Sequence, residues 1–468
     1  MKYLTFVVIS ACLSSFLFGF NNGIVNQTLP VIVNCASASH SGPFPSCISM
    51  GDWEQGLFVS IFLVGGIVGG ALGSYPSACF GRRLTLLLNI LFYAIGAAFV
   101  TLGFDLLSLS VGRFVSGVAS GISTVVVPVY VNEVSPIHLR GILGTIHQLC
   151  IVLGSLVVSV LGLWLANNVQ WRFMFGSTWV ACLLQLTFLP LCPESPVWLI
   201  QNNRSSDARR VLTRLGRDKE QDDDTEVPSD EDESIESAQS CNSKELPSIN
   251  TIAELFCASE LRWQLFAALS LQMAQQLSGI NAAVYFSTRI FMTNFSAELA
   301  VKLTLVIVAF KVFFTILSMR FIESVGRRPL LLTSISLMCM SSILTGLLNC
   351  FGLSHFYFLA ALSLYCSAYS IGLGAIPWLI LPELIPSYAI KPASSVSVTL
   401  NWSTNAILTL VMPKMIQTMG YNIFWVFGGL LVVFFFTTLY CVPETKSKTA
   451  QEVSDALSAT RRNSYVQE

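Results

Sequence analysis

The chain has 468 residues, of which 53% are hydrophobic and only 11% are charged. A soluble globular protein carries about 25% charged side chains, so this composition excludes an ordinary soluble fold and indicates a membrane protein. The formal net charge of −1 conceals an acidic run at 218–236, which we interpret either as a solvated disordered linker or as an interaction or phosphorylation segment.

Uncharged runs recur along the whole chain, most of them about 20 residues long, the length that a helix needs to cross the hydrocarbon core. The first run follows Lys2 like a secretory signal but lacks a clear cleavage site, so we interpret it as a span. The sequence therefore predicts an all-α membrane protein with twelve transmembrane helices in two six-helix halves. The predicted spans are 4–24, 56–78, 84–104, 107–130, 141–165, 172–192, 263–285, 299–321, 329–350, 356–380, 393–413 and 421–442.

Basic residues are concentrated in alternate loops, whereas the loop 34–54 has no lysine or arginine. By the positive-inside rule, the basic loops and both termini lie in the cytoplasm. The opposite loop contains Cys35 and Cys47, for which a disulfide is compatible with the compartment but left open. Asn294 begins a formal glycosylation sequon on that same side, and its occupancy is also left open.

The two halves of the chain repeat three motifs in the same order. "FGRRLTLLL" corresponds to "VGRRPLLLT", "VNEVSP" to "LPELIP", and "PESP" to "PETK". We therefore predict an N-terminal half at 1–192, a cytoplasmic linker at 193–262, a C-terminal half at 263–442 and a cytoplasmic tail at 443–468. Duplicated transporters of this kind bind their substrate between the halves and work by alternating access.

The repeated motifs bring arginines and glutamates to the predicted cytoplasmic helix ends. Positive-inside anchoring explains part of the arginines, and ion pairs can also be static. The recurrence of glutamates at matched positions favours ion pairs that form a gate. The candidate gate residues are Arg82, Arg83, Glu133, Arg140, Glu194, Glu323, Arg327, Arg328, Glu383 and Glu444.

The span at 263–285 contains an unusual number of amides, in the stretch "QQLSGINAAVY". Gln272, Gln275 and Gln276 share one helix face, and Asn281 joins them only if the helix loosens near Ser278-Gly279. Single polar residues often only hold helices together. Four amides within ten residues instead indicate a pathway, and amides match sugar hydroxyls because they both donate and accept.

The chain resembles the sugar porters of the major facilitator superfamily, and in particular the animal facilitative glucose transporters. The resemblance rests on "VPVYVNEVSPIHLRGILGTIHQL", "PESP", "QQLSGINA", "ESVGRRPLLL", "IPW", "NWSTN" and "VPETK". It implies that Asn21 stands where proton-linked members carry an aspartate, which favours uniport. It also implies sugar-contacting positions at Gln148, Gln275, Gln276, Asn281, Trp378 and Asn401, with Trp402 beside them.

Lys311 departs from this pattern, because the glucose transporters place an asparagine there. A lysine in mid-span is costly unless it faces water or a partner, so it either extends towards the surface or reaches the cavity as a further substrate-binding residue. The replacement of Gln-Leu-Ser by Gln272-Met273-Ala274 also weakens the hexose assignment, whereas Trp378 supports it.

Together these observations predict a facilitative hexose uniporter, with D-glucose as the expected sugar. Its expected partners are a monosaccharide substrate and membrane lipids, and no nucleic acid. We expect no cofactor, no metal site and no catalytic residues. The alternatives are a porter for another polyol, fructose or a sugar acid, and a sugar sensor that carries no net flux.

Overall fold

The computed structural model describes residues 2–35, 44–136, 139–216, 251–281, 296–351, 355–386, 388–446 and 452, and within these ranges it is helical without strands. The first helices are α1 Lys2–Ile32, α2 Asp52–Leu72, α3 Ser74–Phe80, α4 Arg82–Leu102, α5 Leu106–Val134, α6 Arg140–Leu165, α7 Trp171–Gly176 and α8 Thr178–Phe188. Three short helices follow, α9 Pro196–Gln201, α10 Ser205–Leu215 and α11 Ile252–Cys257. The last are α12 Arg262–Leu277, α13 Ala297–Val325, α14 Arg327–Cys350, α15 His355–Ile371, α16 Ile376–Leu384, α17 Ile390–Met419 and α18 Ile423–Cys441. The acidic run 218–236 and the sequon at Asn294 lie outside the described residues.

Within the described ranges, 10 segments are long and apolar enough to cross a membrane. The other two predicted spans coincide with α12 and α17, except that residues 282–285 lie outside the described part. α12 is only 16 residues long, shorter than a helix that crosses the membrane needs to be. Both helices also carry many amides and hydroxyls, which lower their hydropathy. The all-α membrane fold is confirmed, and twelve spans are consistent with it.

Helix packing follows the internal repeat. Before the predicted linker, α2 and α4 pack on α5, and α1 packs on α6; after it, the equivalent helices α13 and α14 pack on α15, and α12 packs on α17. Two helix pairs make the most extensive contacts between the segments, α2 with α17 and α6 with α13. The repeat makes α2 equivalent to α13 and α6 to α17, so one pair maps onto the other, as expected for two related halves.

Glycines allow α2 to lie directly against α17. A Cβ added at Gly56 would lie 2.6 Å from the carbonyl oxygen of Leu410, and one at Gly66 would lie 2.2 Å from the Trp402 ring. Helices in membranes use such small residues to bring their backbones together. The junction is therefore matched in shape along the length of α2.

The loop after α1 is held against the neighbouring loops. A disulfide joins Cys35 to Cys47, with 5.3 Å between the Cα atoms, which answers the question left open above. The Arg172 guanidinium donates to the carbonyl oxygens of Pro45 and Gly103, at 3.0 and 2.7 Å. This arginine thereby fastens the loop to its neighbours.

The repeated Gly-Arg-Arg motifs form carboxylate-capped helix starts. Glu194 accepts from the backbone N–H groups of Arg82 and Arg83, at 2.8 and 3.1 Å, at the start of α4. Negative charge is stabilised there by the unpaired N–H groups and the helix dipole. The preceding Gly81 has φ +93°, and an added Cβ would lie 2.6 Å from the carboxylate, so glycine is required.

The same arrangement recurs at α14, where Glu444 accepts from the backbone N–H groups of Arg327 and Arg328, at 3.0 and 3.1 Å. Burial alone would raise the pKa of Glu444, but these donors and the N–H groups of Lys446 and Thr445 bring that pKa below its ordinary value. Glu444 is thus an ionised cap near neutral pH.

Gly81→Ala should lower the free energy of unfolding by about 1–3 kcal/mol, because alanine tolerates this backbone region poorly and would displace the Glu194 carboxylate. The measurement is the thermal unfolding midpoint in detergent. Gly429→Ala is the matched control, because a Cβ there meets nothing within 4 Å. Equal midpoints for both variants would contradict the capping role.

Candidate functional site

The polar helix α12 ends where the sequence predicted that it would loosen. Its last residue is Leu277, and Gly279 adopts φ +81° before the helical residues Ile280 and Asn281. A Cβ on Gly279 would also lie 2.5 Å from the Phe427 ring. This break turns the Asn281 side chain towards Gln276, to whose Oε1 it donates a hydrogen bond. The predicted loosening near Ser278-Gly279 is therefore present, and we name this break the α12 hinge.

Asn401 of α17 joins the amides of α12 into one cluster. Its Nδ2 donates to the Oε1 atoms of Gln272 and Gln275, both at 2.8 Å, and its Oδ1 accepts from Gln276 Nε2 at 2.8 Å. All four amides are nearly fully buried. We name Gln272, Gln275, Gln276, Asn281 and Asn401 the amide cluster.

The amide cluster also holds the irregular backbone between α15 and α16. Gln275 Nε2 donates to the carbonyl oxygens of Leu373 and Gly374, at 3.0 and 2.9 Å, and Gln272 Nε2 donates to Pro377 at 3.1 Å. The Leu373 carbonyl lacks a regular helical partner, since Pro377, four residues further on, supplies no N–H. The half-buried Trp378 follows directly, so the amides position it.

Gln148 approaches from the other predicted half of the chain. It lies on α6, four residues beyond Gly144, and a Cβ on Gly144 would lie 3.2 Å from Leu379 of α16. Residues four apart share a helix face, so Gln148 lies on the face of α6 that meets the α16 segment next to Trp378. Gln148 is half-buried, and among the described residues its amide makes no hydrogen bond.

Trp402, the residue after Asn401 in the chain, packs against two further aromatic rings. The centroid of the Trp402 ring lies 5.3 Å from that of Phe18 and 6.2 Å from that of Phe62. Its indole N–H is buried and finds no hydrogen-bond partner within the described ranges. Buried donors are rarely left unpaired, so this N–H is available to a hydroxyl on a bound ligand or to a water molecule.

Sequence reasoning missed Arg113, which lies beneath the same rings. The guanidinium carbon is 4.2 Å from the centre of the Phe62 ring, and one nitrogen donates to the Asn21 carbonyl oxygen at 2.7 Å. The signal was present, because an arginine inside an apolar span suggests a functional site by default. The neighbour of this arginine, Asn21, is 2% exposed, and its amide side chain does not titrate, unlike a carboxylate at the same position.

Lys311 lies at the middle of α13, where its ammonium nitrogen is 5.6 Å from the centre of the Tyr369 ring. Tyr369 belongs to α15, one turn beyond Tyr365, whose hydroxyl donates to the Ser278 carbonyl oxygen at the end of α12. The lysine is therefore separated from the α12 hinge by two tyrosines.

The candidate gate residues divide into two kinds. Arg82 forms a bidentate pair with Glu133, at 2.7 and 2.9 Å, and Arg327 pairs with Glu383 at 3.0 Å. Arg83 and Arg328 donate instead to backbone carbonyl oxygens, as Glu194 and Glu444 accept from backbone N–H groups. Both ion pairs join helices within one predicted half, and the side chains of Arg140 and Glu323 lie outside the described part, so the gate stays a prediction.

Taken together, the site offers amides that both donate and accept, an unpaired indole N–H and flat aromatic faces. Such groups match a ligand that carries hydroxyls around an apolar ring. The site lies next to the contact between the two predicted halves, where α17 meets α2 and α16 meets α6. This arrangement is suited to binding and passage of a neutral polyhydroxylated molecule.

Comparison with known proteins points the same way. The sequence model of the family described as "Sugar (and other) transporter" matches residues 7–457. The chain is 34% identical to solute carrier family 2, facilitated glucose transporter member 3, of Oryctolagus cuniculus, over 97% of this chain and 92% of that protein. It is 37% identical to facilitated glucose transporter member 1 of Gallus gallus, over 95% and 91%.

The fold is also found among solved structures. The xylose transporter XylE from E. coli, in a partially occluded inward-open conformation, superposes with a TM-score of 0.77 at 24% identity, covering 96% of this chain and 100% of that one. XylE bound to 6-bromo-6-deoxy-D-glucose, described as a proton:xylose symporter, gives 0.76 at 23% identity, covering 97% and 99%.

Proposed function

The chain belongs to the sugar transporter family, and from this membership we propose that it carries D-glucose across the plasma membrane as a facilitative uniporter. The observation that supports this most is the amide cluster, in which Asn401 joins three glutamines beside the unpaired Trp402 indole. The relatives named above are glucose transporters, and this cluster supplies the groups that a hexose needs. Like its family, the protein is a multi-pass membrane transporter and not an enzyme.

The substrate site consists of Gln148 from the N-terminal half together with the amide cluster, Trp378 and Trp402 from the C-terminal half. We take residues 1–192 and 263–442 as the moving halves, and residues 193–262 and 443–468 as the cytoplasmic linker and tail. The two ways in which the halves meet, α2 on α17 and α6 on α13, support a rocking motion about the bound sugar.

We also propose that both termini lie in the cytoplasm, since the loops rich in lysine and arginine lie on the same side as the termini. This side includes the two capped helix starts at Arg82 and Arg327. Terminal epitope tags should bind antibody only after cells are permeabilised; binding to intact cells would contradict the orientation.

Purified protein in proteoliposomes should take up labelled D-glucose, and not L-glucose, until the inside and outside concentrations are equal. No ion gradient is needed, because the position beside Arg113 is held by Asn21, whose amide cannot release a proton in the physiological range. The measurement is the time course of uptake without a gradient and with an imposed proton gradient.

Equal plateaus under both conditions support uniport. Accumulation above equilibrium in the presence of a proton gradient would overturn it. Absence of stereoselective uptake by folded, inserted protein would overturn the glucose assignment itself.

A further inference from the structure

Lys311 is too deep in α13 to reach the membrane surface. It is residue 15 of a helix of 29 residues that runs from Ala297 to Val325. At 1.5 Å per residue, each helix end is about 20 Å away. Lysines extend to the interface only near helix ends, so the ammonium group remains at membrane depth.

The side chain also lies on the inward face of α13. The exposed apolar residues of this helix include Val306, Phe310, Phe313 and Leu317, a spacing that forms one stripe. The buried polar residues Thr304, Thr315 and Ser318 form another. Lys311 continues this second stripe at steps of seven, four and three residues, so it faces the helices packed on α13 and not lipid.

Within the described helices that pack on α13, no carboxylate offsets the charge. The helices that pack on α13 are α6, α15 and, to a smaller extent, α14, and their sequences contain no aspartate or glutamate. Among the described residues, the ring of Tyr369 is the group that stabilises the ammonium, at 5.6 Å. A lone cation inside a membrane protein marks a substrate or ion pathway.

We propose that Lys311 extends the permeant range from hexoses to hexuronates, pyranoses whose C6 carries a carboxylate. The idea rests on the proposed function, because the amide cluster would bind the ring hydroxyls common to both. The Lys311 ammonium then forms a charge-assisted hydrogen bond with the carboxylate, about twice as strong as a neutral one. Tyr369 contacts this cation, and Tyr365, one turn away on α15, contacts the α12 hinge next to the amide cluster.

The first test uses the unaltered protein in proteoliposomes. D-Glucuronate should inhibit entry of labelled D-glucose and should itself enter, whereas L-glucose does neither. Because uronate carries one charge, an inside-positive potential of about 100 mV should accumulate it roughly 50-fold at equilibrium. Normal glucose entry that excess glucuronate does not slow would overturn this inference and leave the proposed function intact; absence of glucose entry overturns the function first.

The second test compares variants by the ratio of glucuronate to glucose entry. Lys311→Asn should lower this ratio about tenfold or more, the effect expected from losing a hydrogen bond to a charged group. Lys311→Arg keeps the charge and should largely keep the ratio. Lys302→Gln is the matched control, since this lysine of the same helix is exposed and paired with Glu298 at 2.6 Å. A ratio unchanged in Lys311→Asn would assign uronate entry to other groups and overturn the role of Lys311.

Discussion

Gln276→Leu should reduce stereoselective D-glucose uptake at low sugar concentration by at least about tenfold. Leucine removes the group that donates to Asn401 at 2.8 Å and accepts from Asn281. Leaving a buried polar group without its partner costs about 1–3 kcal/mol, and here two partners lose a bond. The substituted face also offers no hydrogen bond to a sugar hydroxyl.

The measurement is the initial rate of labelled D-glucose entry into proteoliposomes, normalised to folded protein. Gln264→Leu is the control, because this glutamine is buried on the same helix but lies about two turns before Gln272, the first residue of the amide cluster. We expect it to retain flux. If both variants transport glucose at similar rates near that of the unaltered protein, the amide cluster is a structural contact and does not bind sugar.

Arg82→Ala should lower the free energy of unfolding by about 3 kcal/mol or more, because it leaves the Glu133 carboxylate without its bidentate partner. The two side chains are only 11% and 13% exposed. Removing one partner of a buried ion pair leaves the other charge buried and uncompensated. Arg204→Ala is the matched control: its pair with Asp207 has the same N···O distance, 2.7 Å, but the side chains are 57% and 34% exposed. Exposed pairs contribute about 0–1 kcal/mol.

The readouts are the thermal unfolding midpoint and the KM values for sugar entry and exit. Both partners belong to the predicted N-terminal half, so the proposed rocking of that half as a unit would leave their separation unchanged, and the KM values should move together. Arg82→Ala combined with Glu133→Ala should recover part of the lost stability. An unchanged midpoint with opposite shifts of the two KM values would instead support the predicted gate.

Several features were predictable because they depend on neighbouring residues in the chain. The lengths of the apolar runs predicted the membrane helices, and the motif repeat predicted the equivalent positions at α4 and α14. The break after Leu277 was predictable because glycine permits the backbone to leave the helix there. The family resemblance came from the motifs themselves.

Other features depend on how distant helices are rotated and how closely they approach. The sequence paired all the repeated glutamates with arginine side chains, whereas Glu194 and Glu444 cap helix starts and Glu133 and Glu383 form ion pairs. Whether a carboxylate accepts from a backbone N–H or from an arginine side chain depends on where the chain around it is positioned in the fold. No local pattern contains that information.

The sequence by itself therefore determined the helices, the two-fold repeat and the amide-rich face, since each follows from hydrophobic length, periodicity and glycine placement within one segment. Only the tertiary structure brought Asn401 into the cluster of glutamines, set Trp402 against Gly66 and turned Lys311 inward. Those contacts join residues from about 60 to more than 300 positions apart. Their geometry depends on helix packing, which combines the shapes of many side chains at once.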